Sequence, residues 1–314
     1  MLPIPAFLFQ TVLRLVQPTA LQQAALFQRP EAVSIGETSA ASAQHTHIPK
    51  RIWTYWNQEQ PDRFVQQCIQ SWRLQCPDYE VVLVHPGNLH QHVPDAALPA
   101  QFAQLHPTKQ SDWLRLFLVA LHGGYWLDAS TLLTHSLDWM HSTSAADTAS
   151  FVGFYLEKFT HNPQYPVIES WAFGAAAQSA FVTAWQKEFH HALIERGTEA
   201  YLHDLRARSD WEALKQGIRD PHYLLIHITA QKILRDTKLQ EHFALYKAED
   251  SAYFYHHRLR WKWYLLYPQL CIAPCPAAVS PIIKLRGGER RHFTEMLAQH
   301  GGAKPESLWA QAFR

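Results

Sequence analysis

Lys109-Gln-Ser-Asp-Trp-Leu-Arg-Leu-Phe-Leu-Val-Ala-Leu-His-Gly-Gly-Tyr-Trp-Leu-Asp-Ala-Ser-Thr131 is the stretch whose reading decides the fold. Residues from Trp113 to Leu121 are apolar on most faces, which predicts a buried helix capped by Ser111 or Gln110. That cap puts Asp112 in the first turn, where the helix dipole favours a carboxylate, and Arg115 three residues on along the same face. Gly123 supplies a left-handed C-cap, and Gly124 lets the chain turn at once into the strand Tyr125-Trp-Leu127. This strand delivers Asp128 at its carboxyl end, the edge at which open α/β sheets bind ligands. The helix runs away from that edge and the strand returns to it, so Asp112, Arg115 and Asp128 converge. A carboxylate there can hold a divalent cation on a diphosphate, while Arg115 and Asp112 hydrogen-bond an anionic or polyhydroxyl ligand. A structural Asp112–Arg115 ion pair beside a turn aspartate gives the same pattern, and the residues alone leave both open.

Outward from this stretch the element types alternate. Ile48-Pro-Lys-Arg-Ile-Trp-Thr-Tyr-Trp56 is rich in β-formers, Asp62 to Gln75 fits a helix capped by Asp62, and Tyr79 to Val84 reads as a second buried strand. Downstream follow a strand at Phe151 to Leu156, a helix at Ala180 to Glu195, and a helix over 220–235 opened by Asp220 and Pro221. Strands alternating with helices over 48–245 predict an α/β sheet with parallel members, flanked by helices. Residues 1–28 read as an amphipathic helix with Phe7, Leu8, Val12, Leu15 and Val16 on one face. The small, polar stretch 30–47 reads as a linker, so 1–47 forms an N-terminal extension. Residues 246–314 are left as a C-terminal lid, acceptor-binding or membrane-facing segment.

The chain has 314 residues, with 28 Lys and Arg against 27 Asp and Glu, a net charge of +1. At 47% hydrophobic and 18% charged residues it can bury a sizeable core. Near-neutrality supplies no global attraction to nucleic acid, which is not expected as a partner. No dinucleotide, P-loop or hydrolase-elbow glycine motif is present. Four cysteines are too few for a disulfide scaffold, and the histidines lack zinc-binding spacing. His222 and His227 are open either as a C-terminal metal ligand or as plain helix histidines. No apolar run reaches the ~18 residues that a membrane span needs.

The central stretch resembles the motif of glycosyltransferases that bind sugar through a DXD region, and most closely the version in the bacterial capsular polysaccharide synthesis family. Three further blocks are similar in the same order: Ile48 to Trp56, Cys68-Ile-Gln-Ser-Trp72 and Pro77-Asp-Tyr-Glu80. The resemblance implies a GT-A fold, a nucleotide-sugar donor and an oligosaccharide or lipid-linked glycan acceptor. It implies that Trp53 and Tyr55 line the nucleotide pocket, that Asp112 and Arg115 contact the donor sugar, and that Asp128 is the first metal-motif carboxylate. Ala129-Ser130 stands where related enzymes carry a second carboxylate, leaving one acidic ligand and the weaker Ser130 hydroxyl. Mn2+ or Mg2+ on Asp128 and the diphosphate is the expected cofactor.

With no glycine-rich phosphate loop, metal or basic side chains must meet the charge on a departing diphosphate. Lys284, Arg286, Arg290 and Arg291 surround Gly287-Gly288 and read either as a lid over the diphosphate or as a solvated basic turn. Glu169 is a candidate acceptor contact or base. Arg258 to Tyr267 interleaves cations with aromatics, which suits a peripheral contact at the inner face of the cytoplasmic membrane or inward packing. Retention of anomeric configuration follows from the resemblance alone. Two rival readings remain: transfer to a protein acceptor, and a degenerate transferase that binds nucleotide sugar or glycan within a synthesis complex.

Overall fold

Short apolar runs bounded by Pro, Gly and Asp become the strands of a mixed sheet in a computed structural model, which describes residues 27–28, 31–36, 47–143, 149–236 and 241–314. The strands are β1 Val33–Ile35, β2 Arg51–Tyr55, β3 Glu80–Val84, β4 Gly124–Leu127, β5 Thr131–Leu133, β6 Ala149–Tyr155, β7 Ile168–Ala175, β8 His242–Lys247 and β9 Ile282–Lys284. Seven of them form one sheet in the order β1-β8-β6-β7-β4-β2-β3, while β5 and β9 form a separate ribbon. β2 is parallel to β3 and β4, and β8 is parallel to β6. β7 runs antiparallel between β4 and β6, so β2, β3, β4, β6 and β8 share one direction. Their carboxyl ends therefore share one edge.

The longer helices are α1 Arg63–Gln75, α2 Pro107–His122, α3 Ala180–His190, α4 Thr198–Arg206, α5 Leu225–Asp236 and α6 Gly287–Gln299. Asp62 caps α1 by accepting from the Val65 N–H at 2.9 Å, as expected. α2 begins earlier than Ser111. Its cap is His106, and Pro107 occupies the first turn, where a missing N–H costs nothing. Asp112 consequently lies in the second turn, beyond the strongest influence of the helix terminus. The helix expected from Asp220 begins at Leu225, with Asp220 capping the preceding turn through the Tyr223 N–H at 3.0 Å.

The turn from α2 into β4 depends on two glycines in the left-handed region, Gly123 at φ 67° and Gly124 at φ 97°. A Cβ on Gly124 would lie 2.7 Å from the Arg51 carbonyl oxygen, so the close approach of β2 to β4 requires hydrogen there.

Side chains alternate between two cores. Trp53, Trp113, Trp126, Phe173 and Trp185 pack on the α2–α3–α5 face. Trp72, Leu132, Ile283, Phe293 and Trp309 pack on the other, with α1, the β5–β9 ribbon and α6. Two expectations change here. Residues 33–35, read within a linker, add a strand to the edge of β8, with Val33 opposite Leu245. The C-terminal segment is built into the second core rather than lying over it as a lid, because Ile282, Ile283, Leu285 and Phe293 are fully buried. The amphipathic helix read in residues 1–28 falls outside the described residues, apart from residues 27–28, of which Phe27 meets Phe254 edge-on at 5.5 Å. Among the described residues no helix is long and apolar enough to cross a membrane.

Candidate active site

Asp128 follows β4 directly, at the shared carboxyl edge, and its N–H is fixed by the Trp171 carbonyl of β7 at 2.8 Å. Oδ1 of Asp128 accepts from Arg115 Nη2 and Trp126 Nε1, each at 3.0 Å. Oδ2 accepts from Lys284 Nζ at 2.9 Å. Arg115 rises from the α2 layer and Lys284 from the β5–β9 ribbon, so the carboxylate joins the two layers of the molecule. Register explains how Lys284 arrives: in the ribbon it lies opposite Thr131, three residues after Asp128. Ser130 closes the corner, donating its hydroxyl to the Leu285 carbonyl at 2.7 Å and accepting from Lys284 Nζ at 2.8 Å.

The expected helix residues do converge on Asp128. Arg115 Nη2 is 3.2 Å from Asp112 Oδ1, and Lys109 Nζ is 3.7 Å from Asp112 Oδ2. Arg115 Nη1 donates to Ser170 Oγ of β7 at 2.6 Å, and its guanidinium lies over the Trp126 ring at 5.3 Å. Asp112 and Arg115 are about 95% buried, at 4% and 5% exposure, and Lys284 is 7% exposed. The Asp128 side chain keeps 24% of its surface and is the group of this set that solvent reaches best. Burial pushes the Asp128 carboxyl up, but the Lys284 and Arg115 charges and the Trp126 N–H outweigh it and hold it below the usual carboxylate range. Burial lowers Lys109 below an ordinary lysine, against the pull of Asp112.

Glu169 is buried one residue before Ser170, with His227 Nε2 of α5 3.6 Å from its carboxylate. His227 thus sits beside Glu169. Tyr55 ends β2 with its hydroxyl donating to Gln110 Oε1 at 2.7 Å, at the same end of α2 as Asp112, and burial pushes its phenol up to about 12. Trp53 is placed differently from the expected nucleotide pocket. Its indole donates to the Gly123 carbonyl at 2.9 Å and packs on His92 and His122, at the far end of α2 from Asp112. Arg286 is exposed; its Nε donates to Glu289 at 2.7 Å and its guanidinium lies over Trp261 at 5.4 Å. Of the basic cluster, Lys284 alone contacts Asp128, while Arg290 reaches Asp62 and the Trp56 ring.

Sequence reasoning did not anticipate Trp126, Ser170 or Lys109 as partners of this set. Trp126 was findable, since residues two apart in a strand share a face. Ser170 was not, because the β4–β7 pairing joins distant segments. The residues present do not fit the expected Mn2+ or Mg2+. Each oxygen of the Asp128 carboxylate is engaged by a cation, the Ser130 oxygen already accepts from Lys284, and the described residues hold no group of three or more His, Cys, Asp or Glu able to bind a metal.

Fold and site together define a mixed α/β protein that gathers carboxylates and cations at the shared carboxyl edge of its parallel strands. The chain belongs to the capsular polysaccharide synthesis protein family, whose family model matches residues 30–269. Three solved structures resemble it distantly. The PaToxG glycosyltransferase aligns at 11% identity over 74% of this chain and 90% of that one, with a TM-score of 0.32. A glycosyltransferase involved in glycosylation of the major capsid of PBCV-1 aligns at 7% identity over 79% and 98%, with a TM-score of 0.38. The galactosyltransferase LgtC, in complex with donor and acceptor sugar analogs, aligns at 11% identity over 79% and 95%, with a TM-score of 0.36. Among curated proteins none matches the sequence significantly.

Proposed function

We propose that this protein is a GT-A type glycosyltransferase that moves a hexosyl group from a nucleotide-sugar donor to an oligosaccharide or lipid-linked glycan during capsular or surface polysaccharide synthesis. Family membership supports the process, and the observation that carries the chemistry is the Asp128 carboxylate held between Arg115 and Lys284 at the strand carboxyl edge. In the reaction an acceptor hydroxyl oxygen bonds to the anomeric carbon, the bond from that carbon to the diphosphate oxygen breaks, and the hydroxyl proton leaves to a base. Negative charge grows on the departing nucleoside diphosphate, and fixed cations aimed at it lower the barrier. Lys284 is the cation in this role, with Asp128 and Ser130 orienting its ammonium. Arg115 and Asp112 hold the donor sugar. Glu169, beside His227, is the carboxylate assigned to the acceptor side. Retention of configuration is carried by the family resemblance alone. Trp263 and Tyr264, 37% and 41% exposed, are the side chains suited to touch the inner face of the cytoplasmic membrane.

The test is release of nucleoside diphosphate from a panel of nucleotide sugars, with and without glycan acceptor, by the wild type and by Asp128→Asn. Asp128→Asn should lose ~100- to 1,000-fold in turnover, the range seen when one oriented electrostatic contact is removed. Undiminished turnover in that variant would sink the site assignment. The lone carboxylate also favours a second reading, a donor-binding member of a synthesis complex. Donor bound by the wild type but neither transferred nor hydrolysed would select that reading.

A further inference from the structure

We infer that Lys284 takes the place of a divalent cation in this site, so that the chain binds nucleoside diphosphate without metal. The inference rests on the proposed donor site and deepens it. Three observations carry it. First, Lys284 is placed by the backbone: β9 pairs with β5 in a register that sets Lys284 opposite Thr131, and the Leu285 N–H bonds the Ser130 carbonyl at 3.0 Å. Fully buried Ile282, Ile283 and Leu285 surround it in sequence, which leaves the ammonium little freedom to swing away. Second, the ammonium binds the two groups that the motif offers a metal, Asp128 Oδ2 at 2.9 Å and Ser130 Oγ at 2.8 Å. A lysine ammonium has three donors, and two are used here, leaving the third for a phosphate oxygen. Third, the linked set has a cationic excess, with Lys109, Arg115 and Lys284 against Asp112 and Asp128. The nearby Glu169 carboxylate lies 3.6 Å from His227 Nε2. The buried Arg115 Nε has no hydrogen-bond partner, a further donor within this set. A divalent ion entering beside Asp128 would face both cations and find one carboxylate.

The experiment measures binding of UDP, GDP, CDP, ADP and dTDP by calorimetry, in excess EDTA and again with Mn2+. Wild type, Lys284→Met and Lys284→Arg are compared. The nucleotide that binds should do so in EDTA with an affinity within ~2-fold of that in Mn2+. Lys284→Met should weaken binding in EDTA by ~10- to 100-fold, the range for losing a hydrogen bond to a charged group. Addition of Mn2+ should restore part of that loss, because the variant frees the Asp128 oxygen. Lys284→Arg keeps the charge and should retain most of the affinity. If Lys284→Met fails to melt cooperatively, the wild-type comparison and Lys284→Arg still decide. Wild-type binding that appears only with Mn2+ overturns the inference and leaves the transferase reading standing. Undiminished binding by folded Lys284→Met in EDTA does the same. No binding of any nucleotide in either buffer overturns the donor site itself, and the inference with it.

Discussion

At the scale of single residues, Asp128 has a structural effect separable from catalysis. Its carboxylate is the common partner of Arg115 and Lys284, both nearly buried. Asp128→Asn leaves two cations without their shared counter-ion and should cost about 1–3 kcal/mol at neutral pH, as expected when charged buried donors lose an acceptor. The pH dependence has a definite sign. The folded carboxyl is held below its ordinary value, so its contribution is complete above the unfolded value and disappears as pH falls through the folded one. Melting curves of both proteins should therefore differ at neutral pH and converge in strong acid. A constant difference across that range would remove Asp128 as the group responsible. The same scale shows what sequence could not assign. Trp53 and Tyr55 share a face because they are two apart in β2, but both faces of this sheet are buried. Alternation therefore gave no sign of which side faces a ligand. Trp53 packs at the far end of α2, and Tyr55 at the end that carries Asp112.

At the scale of elements, the helix, glycine pair and strand from Lys109 to Thr131 were legible because their geometry is local. Gly123 and Gly124 supply the positive-φ backbone that a sharp reversal needs, and that reversal brings Arg115 and Asp128 together. Gly124→Ala tests this directly. Its φ of 97° and the 2.7 Å approach to the Arg51 carbonyl predict a loss of roughly 1–3 kcal/mol in denaturant unfolding. The site depends equally on α6, which fixes the chain immediately after β9. Glu289 accepts from the Arg286 N–H at 2.8 Å and pairs with the fully buried His256 at 2.9 Å. Burial pushes the Glu289 carboxyl up, but bonds from His256 and Arg286 outweigh it and lower it from 4.5 to about 2. This stabilisation is present above 4.5 and is lost as pH falls from 4.5 towards about 2. Glu289→Gln should cost about 1–3 kcal/mol at neutral pH, the range for losing hydrogen bonds to a charged group, and should flatten the acid limb of the stability curve. A variant as acid-sensitive as the wild type would place that sensitivity elsewhere.

At the scale of the whole molecule, the two cores meet at the candidate site. One layer supplies Asp112 and Arg115, the other supplies Lys284, and β4 holds Asp128 between them. The basic cluster was visible in the sequence, but its placement was not, because the β5–β9 ladder joins segments separated in the chain by β6, β7 and β8. A flexible lid and a built-in ribbon make opposite predictions for a chain ending after Lys247. Removing a lid leaves a cooperative fold that lacks turnover. Removing this segment strips Ile282, Ile283, Leu285, Phe293 and Trp309 from the second core, each almost wholly buried. Burial of one such side chain contributes roughly 1.5–3 kcal/mol, so together they are comparable to the whole ~5–15 kcal/mol that holds a typical domain folded. The truncated chain should therefore lose its sharp melting transition by circular dichroism and expose apolar surface to a dye such as ANS. A sharp transition near the wild-type temperature would restore the lid and detach Lys284 from the fixed frame of the site.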